Sequence, residues 1–74
     1  MKYKILTTEQ FDKDFSKLDN SIKIQMTKEI DKLEENPFSG KPLGYNFFRE
    51  KKVRNYRFYY LIYEEELIIF LVAL

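Results

Sequence analysis

The chain reads as an α+β domain, with an N-terminal strand, a helical hairpin and then a three-stranded antiparallel meander. Three observations carry that expectation. Apolar residues recur at helical spacing from Phe11 to Leu33, strand formers dominate from Phe47 onward, and both prolines and both glycines fall within residues 37–46. At 74 residues the chain has room for one domain, 1–74, whose core lies near the lower limit of independent stability. An apolar fraction of 45% and an aromatic fraction of 18% place it among ordered globular chains and away from disordered ones.

The first residues alternate Lys2 and Lys4 with Tyr3 and Ile5, as a short strand wetted on one face does. Thr7 and Gln10 have capping-box spacing, Thr8 is an alternative N-cap, and Phe11, Phe15 and Leu18 then mark a helix over about 8–18. Asp19, Asn20 and Ser21 break it and offer caps for a second helix over 21–35, in which Ile22, Met26, Ile30 and Leu33 share one side. Asn36 and Pro37 stop that helix, because proline brings no backbone donor and disfavours the helical conformation of the residue before it. The short link makes the helices an antiparallel pair covering one side of a sheet. Residues 37–46 form the principal loop. Strands are expected over 47–53, 56–63 and 67–74, with the first strand of the chain beside the last. The last strand is apolar on both faces, so it belongs inside the sheet or has its open face covered. Phe11, Phe15, Leu18, Ile22, Met26, Ile30, Leu33, Phe58 and Phe70 are the expected core. Tyr56, Phe58, Tyr59 and Tyr60 are most economically core and interface material, a base-stacking platform being the other reading.

Charge and residue inventory narrow the chemistry. Without cysteine or histidine there can be no disulfide, zinc finger, thiol nucleophile or histidine base. The carboxylates of residues 1–40 alternate with lysines at helical-surface spacing, which is a solvated face and no metal centre. No cofactor is expected. The longest apolar run has eight residues, 67–74, too short for a membrane helix, and residues 1–20 hold no leader-like apolar segment, so a cytoplasmic location is the expectation. The formal charge is +1, yet residues 41–60 carry Lys41, Arg49, Lys51, Lys52, Arg54 and Arg57 against Glu50 alone. That stretch suits an anionic partner such as RNA, DNA or an acidic protein segment.

If Arg54 and Asn55 form a two-residue turn, Lys52 faces Arg57 and Glu50 faces Tyr59, and the period of two puts all four on one face. One reading is an ion network threaded by Glu50. The other is a phosphate clamp, in which Arg57 supplies a rigid fork and Lys52 a point charge, with Arg49, Lys51 and Arg54 extending the field along a phosphate backbone. Such donors also stabilise charge that develops on a phosphoryl group in the transition state.

The stretches around Phe11–Asp12–Lys13–Asp14–Phe15, Leu33–Glu34 with Asn36–Pro37, Gly40–Lys41–Pro42–Leu43, and Asn55–Tyr56–Arg57 followed by Tyr60 resemble the RelE/ParE superfamily of bacterial and archaeal toxins. The resemblance covers essentially the whole chain. It implies a RelE-like toxin of a type II toxin–antitoxin system, a ribosome-dependent mRNA endonuclease (mRNA interferase) that inhibits translation and is restrained by a cognate antitoxin protein. Its partners are then the antitoxin, the ribosome and mRNA, with no membrane and no metal. Cleavage in the family proceeds by attack of the ribose 2′-hydroxyl on the adjacent phosphate, with basic side chains in place of histidine. The family arginine falls on Arg57, which would hold the scissile phosphate, and the basic positions of the preceding strand fall nearest Lys52 and Glu50. Arg57 and Lys52 are therefore the expected catalytic residues, and Arg49, Lys51 and Arg54 the expected RNA-binding ones.

Three departures qualify the resemblance. Glu50 stands where a lysine or arginine is usual, which weakens phosphate attraction unless Lys51 or Arg49 reaches round. Arg54 replaces the glycine usual at a turn position of positive φ. The chain ends at Leu74, before the tail in which catalytic members carry a further cation and a tyrosine, so slower cleavage is expected of it than of a version extended past Leu74. Non-catalytic or gyrase-inhibiting superfamily members, and an unrelated small RNA- or protein-binding domain, are the alternatives.

Overall fold

A computed structural model describes residues 2–74. The elements are β1 (Lys4–Thr7), α1 (Glu9–Ser16), α2 (Asn20–Lys32), a 3₁₀ turn (Pro37–Ser39), β2 (Lys41–Tyr45), β3 (Phe48–Val53), β4 (Tyr56–Tyr63) and β5 (Ile68–Ala73). They form an α+β fold with one five-stranded sheet in the order β1-β5-β4-β3-β2. As the sequence predicts, the first strand lies beside the last, in parallel, and the other pairs are antiparallel. Among the described residues no helix is long and apolar enough to cross a membrane.

Caps set where the helices begin. Thr8, and not Thr7, is the N-cap of α1: its Oγ1 accepts from the Phe11 amide at 3.1 Å and donates to the Val72 carbonyl at 3.2 Å, tying the helix start to β5. Thr7 is spent in β1, so its capping box with Gln10 does not form, and Gln10 donates to Asp14 instead. Asp19 caps α2 by accepting from the Ile22 amide at 3.1 Å. The Ser21 hydroxyl, and then that amide, hold the Asp19 carboxyl below the usual carboxylate range. Both helices are shorter than their apolar patterns suggest, because each last turn tightens: the amides of Leu33 and Glu34 bond back three residues to the Ile30 and Asp31 carbonyls, and those of Lys17 and Leu18 to Asp14 and Phe15.

The core lies between the helices and one face of the sheet. α1 lies against β5 and α2 against β3, burying Phe11, Ile22, Met26, Ile30 and Leu33 on Val53, Phe58, Tyr60, Ile62, Ile69 and Leu71. Each such apolar side chain contributes about 1.5–3 kcal/mol on leaving water. Phe15 and Leu18 are only half-buried at its margin, because α1 stops after two turns. Phe70 is also half-buried, since the period of two turns it to the sheet face without helices, where it pairs in register with Leu6 and Leu61.

Residues 37–46 are not simply a loop. After the 3₁₀ turn, Lys41–Tyr45 pairs with β3 and makes the meander four-stranded. Pro42 and Gly44 are tolerated because β2 is an edge strand with a register shift between Pro42 and Tyr45, and Gly44 supplies φ +88° there. The face of the sheet away from the helices is thereby divided. Leu6, Phe48, Leu61, Ile68 and Phe70 make an apolar half, and Glu50, Lys52, Arg57 and Tyr59 make a polar half near the β3–β4 turn.

Candidate nucleic-acid interface

The two-residue turn fixes the β3–β4 register. Val53 pairs with Tyr56, Lys52 with Arg57, Lys51 with Phe58, and Glu50 with Tyr59. Arg54 takes φ 54° to close the turn, a left-handed conformation that costs a non-glycine residue about 1–2 kcal/mol. Lys52 and Arg57, both exposed, thus stand opposite one another, where like charges repel by a few tenths to about 1 kcal/mol. Among the described residues neither joins an ion pair or a side-chain hydrogen bond, and neither does Glu50. The ion network through Glu50 is not formed.

Two hollows flank this pair. One, of about 330 Å³, is lined by Lys41, Glu50, Lys52 and Arg57 with Ser39, Gly40 and Lys51. The other, of about 440 Å³, is lined by Lys52, Arg57, Asn55, Tyr56, Tyr59 and Leu74. Lys52 and Arg57 line both and form the ridge between them. A larger hollow of about 590 Å³ between α2 and β3 is lined by Lys52 as well, but Glu29 and Asp31 sit there beside Lys28 and Lys32, which makes it a poorer place for an anion than the hollow with four cations and Glu50 alone.

The remaining predicted cations are placed differently. Arg49 is 8% exposed and faces the helices. Its guanidinium donates to the carbonyls of Phe38 (2.9 Å), Gly40 (2.8 Å) and Asn46 (2.9 Å) and to the Asn46 side chain, and it stacks on the Phe38 ring at 5.0 Å. With its donors spent on the chain itself, Arg49 cannot hold a phosphate. Lys51 faces the same way, its Nζ 2.7 Å from Ser39 Oγ and 3.7 Å from Glu29 Oε1. Arg54 sits in the adjoining turn and donates to Gln25 at 2.8 Å. Lys41 counts among the cations of residues 41–60 but not among the expected RNA-binding residues, because in sequence it lies in the stretch that reads as loop. It pairs with Glu50 and enters the smaller hollow.

A buried knot holds β2 against the site. Tyr60, fully buried, donates its hydroxyl to the Pro37 carbonyl at 2.8 Å and accepts from the Gly40 amide at 3.0 Å. Burial pushes the phenol pKa up. Gly40 must be glycine, because a Cβ would collide with Tyr60 Oη and come within 2.6 Å of the Glu50 carbonyl. The motif residues Pro37, Gly40 and Tyr60 therefore have a packing role that sets where Lys41 and Glu50 stand.

A small α+β domain with an open, cationic β-hairpin face is the class that this geometry defines. The chain belongs to a toxin family: the model described as "ParE toxin of type II toxin-antitoxin system, parDE" matches residues 5–74. Its fold is similar to that in the intact E. coli RelBE toxin–antitoxin complex, with 24% identity, a TM-score of 0.87 and coverage of 96% of this chain and 92% of that one. A mutant E. coli toxin RelE in complex with an antitoxin RelBc peptide is similar at 25% identity and TM-score 0.87, covering 99% and 81%. The archaeal RelE–RelB complex from Pyrococcus horikoshii is similar at 20% identity and TM-score 0.85, covering 99% and 92%. No curated protein matches the chain.

Proposed function

We propose that this protein is a RelE-like toxin that cleaves mRNA on the ribosome in the cytoplasm, with Arg57 and Lys52 holding the scissile phosphate. The observation that supports this reading is the opposed Lys52–Arg57 pair, uncompensated and set between two hollows. An anion between the two cations relieves their repulsion, and Arg57 offers a planar fork that matches two phosphate oxygens. Arg54 and Lys41 extend the field on either side. The solved relatives that carry an antitoxin support a cognate antitoxin here as well, and the apolar half of the open face gives it a surface to cover.

The match to a ParE model supports a second reading, a gyrase-directed toxin that cuts no RNA. One preparation assayed two ways separates them. Cleavage of a ribosome-bound message, mapped by primer extension, with gyrase supercoiling untouched, is the expected result; inhibited supercoiling with an intact message would overturn the proposal.

A further inference from the structure

Glu50 looks like a defect in a phosphate site. It is a carboxylate on the face that must attract phosphate, in the hollow shared by Lys41, Lys52 and Arg57. Were it there to neutralise those cations it would be paired with one, and among the described residues it is in no ion pair or side-chain hydrogen bond. It is half-buried, and its backbone is fixed on both sides by pairing with Lys41 and Tyr59. We infer that Glu50 is the general base that takes the proton from the ribose 2′-hydroxyl, an inference that rests on the mRNA-cleavage reading above.

The chemistry asks for such a group. A 2′-hydroxyl must lose its proton to attack phosphorus, and lysine and arginine side chains are as a class protonated at neutral pH, whereas a glutamate can accept a proton. Among the side chains that line the smaller hollow, Glu50 is the one of that kind. Placement fits as well. Same-face neighbours along a strand are about 7 Å apart, so Glu50 and Lys52 can address opposite sides of one phosphate, as an in-line displacement requires.

The Glu50 carboxylate accepts the 2′-hydroxyl proton while the 2′-oxygen forms its bond to phosphorus. The bond from phosphorus to the 5′-oxygen breaks, and that oxygen takes a proton from the Lys52 ammonium. The products are a 2′,3′-cyclic phosphate and a 5′-hydroxyl, and proton exchange with water restores Glu50 and Lys52. Arg57 and Lys41 hold the non-bridging oxygens throughout.

Glu50→Gln keeps the shape and removes the base, so it should bind RNA equally or more tightly, having lost a negative charge, yet cleave a ribosome-bound message about 10²–10⁴-fold more slowly. A message with sulfur replacing the 5′-oxygen at the cut site adds a second readout, since a thiolate leaves without being protonated. It should restore the part of the cleavage by Lys52→Ala that was lost with the proton donor, though not the part lost with the ammonium charge that helps hold the phosphate, and leave Glu50→Gln slow. Cleavage by Glu50→Gln within about threefold of the parent protein, or rescue of Glu50→Gln by the sulfur substrate, overturns the assignment. A parent protein that leaves the message intact refutes the cleavage reading itself, and the assignment with it.

Discussion

Gly40→Ala tests whether the buried knot beneath the site is as tight as the structure shows. The added Cβ collides with Tyr60 Oη and comes within 2.6 Å of the Glu50 carbonyl, so the 3₁₀ turn, β3 or the Tyr60 ring has to move. Overpacking of this kind costs about 1–3 kcal/mol. The Gly40 amide to Tyr60 bond and the Tyr60 to Pro37 bond, at 3.0 and 2.8 Å, are both strained or lost, and each contributes about 1 kcal/mol. Together the loss is about 3–5 kcal/mol, against a total stability of roughly 4–11 kcal/mol for a domain of this length. Urea unfolding followed by circular dichroism should show a much lower midpoint at an unchanged slope, and Tm should fall by at least about 12 °C. In a Tyr60→Phe background the same substitution should cost at least about 2 kcal/mol less, since both hydroxyl bonds and one of the two obstacles are already gone, but still more than nothing because the Glu50 carbonyl remains. A Gly40→Ala protein within about 0.5 kcal/mol of the parent would refute the reasoning.

Other outcomes follow from particular side chains. Arg57→Ala should weaken RNA or ribosome binding more than Lys23→Ala, although both remove one charge, and it should lower the dependence of log affinity on log salt by about one unit; equal losses in filter binding would leave only diffuse attraction. Arg54→Gly should stabilise the fold by about 0.5–1 kcal/mol in thermal unfolding, since glycine takes the positive φ freely and the lost Gln25 bond is exposed. Stability should also depend on pH at both extremes. Tyr60 holds its proton more tightly folded than unfolded, so its contribution is complete below the unfolded phenol pKa of about 10 and is lost as pH rises beyond it. Asp19, through Ser21 and the Ile22 amide, and Glu29, through Lys32 and Lys51, have lowered pKa values, so their contributions are present above about pH 4 and are lost as pH falls through it. Unfolding midpoints measured across pH check both directions, and a Tyr60→Phe protein should lose the alkaline limb.

The site's central geometry was legible because a two-residue turn and the period of two leave one register for the β3–β4 hairpin, and Lys52 does face Arg57. The same parity places Arg49 and Lys51 on the helix side. Arg49 nevertheless read as a surface cation, because a buried arginine needs partners and its partners are carbonyls of Phe38, Gly40 and Asn46, which no pattern of side chains announces. β2 was hidden for a related reason. Proline and glycine mark a loop in sequence, whereas an irregular edge strand needs few of the hydrogen bonds they forgo. The two helices were legible from apolar spacing, but the choice of Thr8 over Thr7 as cap depends on β1 pairing with β5, a contact between the two ends of the chain.

The most direct test of the Lys52–Arg57 phosphate site is the single-turnover rate at which a programmed ribosome's message is cut by the parent protein and by Arg57→Ala. Loss of a preorganised donor to the developing phosphoryl charge should slow cleavage by about 10²–10³-fold, at the same cut positions, with the fold no less stable because Arg57 is exposed and its repulsion from Lys52 is relieved. Equal rates, with binding to the ribosome saturated in both, would contradict the assignment of that phosphate to Arg57.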